Sequence, residues 1–178
     1  MTPWLWLLFL GAPAVLLTAA AAAYHNRGRF RFKLTGVRLT RYNIAELEPG
    51  YVPVMGPGGV VLGYTTPAAY TNLRMEGTGE FPDGRRVNYL DGKTWRLLPS
   101  GSWGLGVGGR ELTPFDSIAV DPKVIPLDSV CYLPELGRWV KAVDVGDLIK
   151  GKHIDLFVGK SVATGADALD WCTVEVYE

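Results

Sequence analysis

Three aspartates in the C-terminal third of the chain are the residues best suited to acid–base chemistry. Asp121, Asp144 and Asp155 lie within or at the ends of short apolar runs. Asp155 has apolar neighbours on both sides in Ile154–Val158, where an ionised carboxylate is costly unless it is paired or protonated. Asp121 and Asp144 also have ordinary interpretations, as a turn residue and as a residue that caps a loop. Asp155 is therefore the aspartate that is hardest to explain as structural alone.

Few other residues could build a familiar catalytic site. The chain has two histidines, His25 and His153, and two cysteines, Cys131 and Cys172. Zinc sites made of Cys and His are short of ligands, and a Ser-His-Asp triad could use only His153. No metal or other cofactor is implied.

Charge is distributed unevenly, although Lys and Arg (18) balance Asp and Glu (18). Residues 27–41 contain six basic residues and no acidic ones, so the rest carries 12 basic against 18 acidic residues, a net charge of −6. This acidic body argues against nucleic acid as the main partner, because phosphate binding needs a basic surface.

The N-terminal segment predicts export. Residues 4–24 carry no charge and approach the length that crosses a bilayer, and Ala21 to Ala23 resembles a signal-peptidase site. We expect residues 1–23 to be a cleaved signal peptide or an uncleaved anchor, followed by a basic linker over residues 24–35. The choice stays open because the basic cluster follows the apolar run. The expected location is the periplasm or cell envelope, with membrane contact only through an uncleaved segment.

Export also changes the interpretation of the cysteines. Cys131 and Cys172 both lie in strand-like runs, and in an oxidising compartment a disulfide between them is the first interpretation. The alternative is two buried free thiols, each acting as a small apolar side chain.

The remaining sequence, residues 36–178, predicts an all-β domain. The chain contains 22 Gly and 12 Pro, and no stretch sustains an apolar 3.6-residue period over three turns. Short apolar or alternating runs separated by turn signals recur instead, which favours a barrel or a sandwich. The expected strands are Val37–Tyr42, Gly59–Tyr64, Arg86–Tyr89, Ser117–Val120, Val130–Leu133, Trp139–Val143, Ile154–Val158 and Cys172–Tyr177. The best helical candidate is short, Ala163–Asp170, with Thr164 as N-cap.

The aspartates and their neighbours resemble the 3D domain, a family named for three aspartates. The matching motifs are Ala119-Val120-Asp121-Pro122, Ala142-Val143-Asp144 and Ile154-Asp155-Leu156-Phe157, with 10 residues between Asp144 and Asp155. The resemblance implies the six-stranded double-psi β-barrel that this family shares with the MltA lytic transglycosylases. Here the barrel would follow the N-terminal leader and would contain a short inserted β-rich segment over about residues 48–108.

The resemblance also implies a site that acts on the glycan strands of peptidoglycan. Asp155 would be the catalytic acid and base, with Asp144 and Asp121 lining the same groove. It would protonate the glycosidic oxygen between MurNAc and GlcNAc and then accept the proton of the MurNAc 6-hydroxyl, which closes to the 1,6-anhydro product. The expected substrate contacts are Lys123, Lys150, Gly146 and Glu76. A structural salt bridge is an equal alternative for both lysines.

Two residues depart from the family pattern, since Asp147 and Asp128 stand where it usually has glycine. Asp147 adds a negative charge near the expected site and removes a flexible backbone position.

Two other functions stay open. One is a non-catalytic wall-binding or regulatory barrel, and the other is hydrolysis by two carboxylates, with Glu76 or Asp144 as the second acid beside Asp155. Aromatic side chains offer stacking platforms for sugars in each case, although most are expected to be core residues. The tryptophans concerned are Trp95, Trp103, Trp139 and Trp171.

Overall fold

A computed structural model describes residues 28–160 and 169–178 of the chain. The expected leader, His25 and most of the expected helix at Ala163–Asp170 lie outside the described residues. The strands, in chain order, are β1 (Phe30–Tyr42), β2 (Ala45–Glu46), β3 (Val52–Met55), β4 (Val61–Thr65), β5 (Thr78–Glu80), β6 (Arg86–Asp91), β7 (Thr94–Leu97), β8 (Ser117–Ala119), β9 (Val130–Leu133), β10 (Arg138–Asp144), β11 (His153–Phe157) and β12 (Trp171–Tyr177). The α-helix α1 spans Pro67–Glu76. Within these ranges, no helix has both the length and the apolar character needed to cross a membrane.

Six strands close into a barrel in the order β1-β11-β8-β10-β9-β12. The pairs β1–β11 and β8–β10 are parallel, and the other neighbours are antiparallel. Alternate residues such as Leu39, Ile118 and Ile154 fill the barrel interior and are almost completely buried. Because successive side chains of a strand point to opposite faces, the residues between them lie on the outer surface. The six-stranded all-β barrel predicted from the sequence is confirmed.

The segment between β1 and β8 adds two small sheets and α1 to the barrel. Strands β2, β5, β6 and β7 form a sheet in the order β2-β5-β6-β7, and β3 pairs with β4. This part has its own core, in which Trp95 is 1% exposed. The sequence did not predict α1, because the helix buries only Ala69 and Leu73 and shows no long apolar period. Local signals define it instead: Thr66 caps the N-terminus and Gly77 ends it with a φ of 72°.

The prediction of a linker over residues 24–35 is wrong for residues 30–35. Residues 30–35 belong to β1 and pair with β12, where Lys33 is opposite Glu175. Phe32 and Leu34 pack against the barrel core, whereas Arg31 and Lys33 are exposed. The basic residues are therefore the outward half of an amphipathic strand, and not a solvated tether.

The expected disulfide is also wrong, since Cys131 and Cys172 are buried free thiols. Cys131 on β9 pairs with Val176 on β12, which lies four residues beyond Cys172. Four residues of extended strand span about 13 Å, well beyond the roughly 7 Å between Cα atoms that a disulfide can bridge. Both side chains belong to the barrel core. Burial raises the pKa of each thiol to about 12.

Candidate active site

Two of the three aspartates lie in one row on the outer surface of the barrel. Asp155 on β11 pairs with Thr40 of β1 on one side and with Ala119 of β8 on the other. Asp144 on β10 also pairs with Ala119, from the opposite side of β8. Paired residues point to the same face of a sheet, and two strand spacings place the aspartate Cα atoms about 10 Å apart.

A β-bulge turns Asp144 toward this outer face. Asp144 and Ala142 pair with consecutive residues of β8, so Val143 between them has no partner. Val140 and Ala142 face the barrel core, and strict alternation would send Asp144 there as well. The extra residue shifts the alternation, so that Val143 packs in a separate apolar cluster outside the barrel and Asp144 emerges beside it.

Three hydrogen bonds hold the carboxylate of Asp144. Its Oδ1 accepts the backbone N–H groups of Val107 (3.2 Å) and Val145 (2.9 Å), and its Oδ2 accepts the Tyr42 hydroxyl (3.2 Å). Burial raises the pKa of Asp144, and these three donors oppose that rise. The loop before Val107 packs closely, because a Cβ on Gly106 would lie 3.1 Å from the Asp144 carboxyl carbon. Asp144 is therefore fixed in orientation by donors that offset part of the cost of burying its charge.

Asp155 has fewer partners than Asp144. The Thr40 hydroxyl donates to its Oδ1 at 2.7 Å, and no described residue forms a hydrogen bond with its Oδ2. Burial is the main cause that raises the pKa of Asp155, and the charge of Asp144 adds to it. Thr40, His153 and Arg41 act in the opposite direction. A half-buried carboxyl with a raised pKa and a free oxygen has the properties of a general acid.

Glu76, the last residue of α1, brings a third carboxyl to the cluster. Burial, followed by repulsion from Asp155, raises the pKa of Glu76 to about 7, although the backbone N–H of Asn43 lowers it. Burial also raises the pKa of Tyr42, and the charges of Asp144, Asp155 and Glu76 add to that rise. The cluster resists carrying three negative charges at neutral pH. No three His, Cys, Asp or Glu side chains within the described ranges are arranged to hold a metal ion.

The third aspartate, Asp121, has a different set of partners. Asp121 Oδ2 accepts the backbone N–H of Gly151 at 2.8 Å, and its Oδ1 accepts that of Lys123 at 3.0 Å. These two hydrogen bonds lower the pKa of Asp121, and the charges of Lys150 and Lys123 lower it further. Asp121 joins the loop after β8 to the loop before β11. Its expected place in the groove beside Asp144 and Asp155 stays a prediction. Asp121 lies two residues beyond Ala119, the β8 residue that pairs with both of them.

Two of the four expected substrate contacts, Lys123 and Lys150, act on Asp121, and Gly146 is hydrogen-bonded to Lys150. The charges of Lys123 and Lys150 both lower the pKa of Asp121. Lys150 Nζ donates to the Gly146 carbonyl at 3.1 Å. Gly146 itself is tightly packed, since a Cβ there would lie 2.7 Å from Ile149 Cγ1. These three residues hold the loops around Asp121, whereas Glu76 acts electrostatically on Asp155. The role of all four as substrate contacts stays a prediction.

Asp128, one of the two departures from the family pattern, supports the site indirectly. Its φ is 69°, in the left-handed region that favours glycine and that aspartate tolerates. Its carboxylate binds Arg110 through two contacts, of 2.9 and 2.5 Å, and Arg110 Nη1 donates to the Val107 carbonyl at 2.8 Å. Because the Val107 N–H binds Asp144, Asp128 steadies the loop that covers that carboxylate. Asp147, the other departure, is exposed.

Of the four tryptophans weighed as sugar platforms, Trp171 is the most open, at 63% exposed. Trp95 is 1% exposed and belongs to the core of the inserted segment. Trp103 is covered by Arg86, whose guanidinium lies 4.1 Å from the ring centroid, and Trp139 packs against two tyrosine rings. Trp171 is therefore the tryptophan best placed to meet a ligand from solvent.

A separate cavity of about 460 Å³ lies away from the carboxyl cluster. It is lined by Asp116, Leu136, Gly137, Arg138 and Trp139. Arg138 lies about 20 Å along β10 from Asp144, and Asp116 precedes Ala119 by three residues, or about 10 Å of strand. The cavity belongs to another part of the barrel surface.

Sequence reasoning missed Thr40 and Tyr42 and gave His153 no role at this site. Thr40 and Tyr42 alternate with interior residues of β1, so an expected strand at Val37–Tyr42 was enough to place both on the outer face. Their proximity to the aspartates depends on the parallel pairing of β1 with β11, for which no local sequence signal exists.

Comparison with known proteins agrees with this architecture. Residues 116–171 match the 3D domain family. A stretch of 54 residues is 46% identical to the cell wall-binding protein YocH of Bacillus subtilis (strain 168), and it covers 30% of this chain and 17% of YocH. The match therefore concerns a small part of that relative.

Two solved structures share the fold at low identity. E. coli MltA with bound chitohexaose has a TM-score of 0.62 at 16% identity, over 80% of this chain and 71% of that one. A membrane-bound lytic murein transglycosylase from Agrobacterium tumefaciens has a TM-score of 0.64 at 13% identity, over 90% of this chain and 79% of that one. The protein thus carries a 3D domain, and its barrel resembles that of the MltA lytic transglycosylases.

Proposed function

We propose that this protein is an exported lytic transglycosylase that cleaves the bond between MurNAc and GlcNAc in peptidoglycan. The observation that carries the proposal is Asp155, a half-buried carboxyl with a raised pKa and one oxygen without a partner among the described residues. The 3D domain and the fold shared with two transglycosylases support the substrate class.

Asp155 acts first as the acid in the proposed reaction. It protonates the glycosidic oxygen, the bond from MurNAc C1 to that oxygen breaks, and GlcNAc leaves with the proton. The carboxylate of Asp155 then accepts the proton of the MurNAc 6-hydroxyl while that oxygen bonds to C1. The product is a 1,6-anhydro ring, Asp155 regains its proton, and no water is consumed.

Asp144 supplies a fixed negative charge in this proposal. Its three donors favour the ionised form, which suits it to face the positive charge that develops at MurNAc C1 and the ring oxygen. Tyr42 holds one oxygen of Asp144 and orients it. Glu76 faces Asp155 and keeps a proton until about neutral pH, so it limits the negative charge around the acid.

A wall-binding function without cleavage is the second candidate. It is favoured by the 46% identity over 54 residues to a protein named for cell wall binding. In that case the aspartate row would bind the sugar chain, and substitution of Asp155 would change affinity alone.

Digestion of purified peptidoglycan by the full chain tests these functions. Mass spectrometry of the soluble products should find 1,6-anhydro-muropeptides, and Asp155→Asn should release none above background. Products with reducing ends would replace the transglycosylase with a two-carboxylate hydrolase. Retention of the protein on peptidoglycan with no products would favour the binding function.

A further inference from the structure

A chain of three contacts runs from a loop carbonyl to the proposed acid. His153 Nδ1 lies 3.2 Å from the Leu148 carbonyl oxygen, and His153 Nε2 lies 2.9 Å from Thr40 Oγ1. Thr40 Oγ1 in turn lies 2.7 Å from Asp155 Oδ1. The strand register explains the alignment, because Thr40 pairs with Asp155 and His153 precedes Asp155 by two residues on the same face of β11.

The number of available hydrogens restricts which hydrogen bonds these three contacts can form. The Leu148 carbonyl can only accept, so Nδ1 of His153 carries a hydrogen. A neutral imidazole has one N–H, and Nε2 must then accept the hydrogen of the Thr40 hydroxyl. Thr40 has no second hydrogen for Asp155. The short contact between Thr40 and Asp155 is then satisfied only if Oδ1 carries the proton and donates it.

A charged imidazolium reverses these hydrogen bonds. Both nitrogens of His153 donate, so Thr40 accepts from Nε2 and donates its own hydrogen to Asp155 Oδ1. A proton on Asp155 must then sit on Oδ2, the oxygen with no partner among the described residues. The Ile154 carbonyl also lies within reach of the Thr40 hydroxyl, but its 3.5 Å distance is too long to compete with the 2.7 Å contact to Asp155.

We propose that His153, acting through Thr40, decides which oxygen of Asp155 carries the transferable proton. The imidazolium places that proton on Oδ2, toward the substrate, and neutral His153 draws it to Oδ1, away from the substrate. The inference rests on the proposed acid role of Asp155. His153 and Thr40 are positioning residues, since neither touches the glycosidic bond.

The proton balance of this switch needs no further reactant. From the imidazolium with ionised Asp155, the proton on Nε2 passes to Thr40 while the Thr40 hydrogen passes to Oδ1. The result is neutral His153 beside protonated Asp155, with the same total number of protons. The reactive form has a proton on both His153 and Asp155. Loss of one proton from this pair therefore removes the reactive form, whether the remaining proton lies on His153 or on Asp155.

Other ionisable groups surround His153 and Asp155, and their effects on the pH profile must be distinguished from those of this pair. They are Arg38 and Arg41 on β1, Asp144 on β10, Glu76 at the end of α1, and Lys152 beside His153. Glu76 is the group among them that titrates near neutral pH, at about 7. Its effect on a pH profile has to be removed by substitution.

The first test compares cleavage rates across pH for the full-length protein and His153→Gln. The variant has no titrating ring to withdraw the Thr40 hydrogen and no positive charge to favour ionised Asp155. Its alkaline limb should move to higher pH by about one unit, or about tenfold in rate at a fixed pH on that limb. Thr40→Ser keeps the hydroxyl and should follow the wild-type profile. The shift should persist when Glu76→Gln is added to both proteins, and coincident profiles would overturn the proposal.

The second test determines the tautomer of the His153 imidazole directly. With ¹⁵N-labelled histidine, NMR of the full chain reports two side chains, and His153→Gln identifies the signals of His153. In its neutral form we expect His153 as the Nδ1–H tautomer, which is the minor form in free histidine. An Nε2–H tautomer would overturn the proposal. A protein that cleaves nothing but shows the Nδ1–H tautomer would contradict the proposed function and leave the positioning by His153 intact.

Discussion

Asp144 and Asp155 both face Ala119, from the two strands that flank β8. The small Ala119 side chain therefore lies between the two carboxyls, on the same outer face of the barrel. Ala119 is only 4% exposed, so this position between the two carboxyls has little room for a larger side chain.

A larger side chain at residue 119 should consequently lower the cleavage rate while the protein still folds. We expect Ala119→Val to lower peptidoglycan cleavage by at least about tenfold, because its methyl groups enter the space between the carboxyls, and to cost about 1–3 kcal/mol in stability through overpacking. Cleavage rates and urea unfolding measure the two effects. Ala119→Ser, which is close in size, serves as the control, and equal rates for all three proteins would show that the packing between the two carboxyls does not affect cleavage.

The contact between Asp128 and Arg110 gives a matched pair of substitutions. Asp128→Gly removes the carboxylate but suits the φ of 69°, whereas Asp128→Ala removes the carboxylate and strains the backbone. Both variants should lose cleavage activity to a similar degree, because the loop at Val107 that binds Asp144 is no longer held by Arg110. The melting temperature should fall further in Asp128→Ala than in Asp128→Gly. Full activity in both variants would remove Asp128 from the support of the site.

Glu76 should make stability depend on pH. Its pKa is about 7 in the folded protein and 4.5 as the ordinary value, so the folded state binds more protons between these values and stability falls as pH rises through this window. Full linkage would be about 3 kcal/mol, and we expect about 1 kcal/mol because Glu76 keeps partial contact with solvent. Urea unfolding from pH 4 to pH 8 should therefore show a smaller decline for Glu76→Gln than for the wild type. Parallel curves would place Glu76 outside the carboxyl cluster.

The barrel strands were predictable because the signals that define them are local. The expected run Val130–Leu133 is β9, residue for residue, and the alternation in Ile154–Val158 places Asp155 between interior side chains. The family resemblance added the closed barrel and drew attention to Asp144 and Asp155.

The arrangement of the site depends on long-range pairing that the sequence does not display. The bulge at Val143 decides the direction of Asp144, and without it the carboxylate would face the core. Glu76 comes near Asp155 because the end of α1 meets Asn43, the residue that follows β1. The prediction of a disulfide was wrong for a related reason, since Cys131 and Cys172 lie on neighbouring strands but four residues out of register.

Asp155→Asn tests the proposed chemistry most directly, because the amide keeps the shape of the side chain and can neither donate nor accept the catalytic proton. We expect release of 1,6-anhydro-muropeptides to fall by several orders of magnitude, with a melting temperature that is unchanged or higher, since a half-buried carboxyl has been neutralised. Asp144→Asn should lower the rate less than Asp155→Asn. Release of 1,6-anhydro-muropeptides by Asp155→Asn at the parental rate would contradict the assignment of Asp155 as the acid.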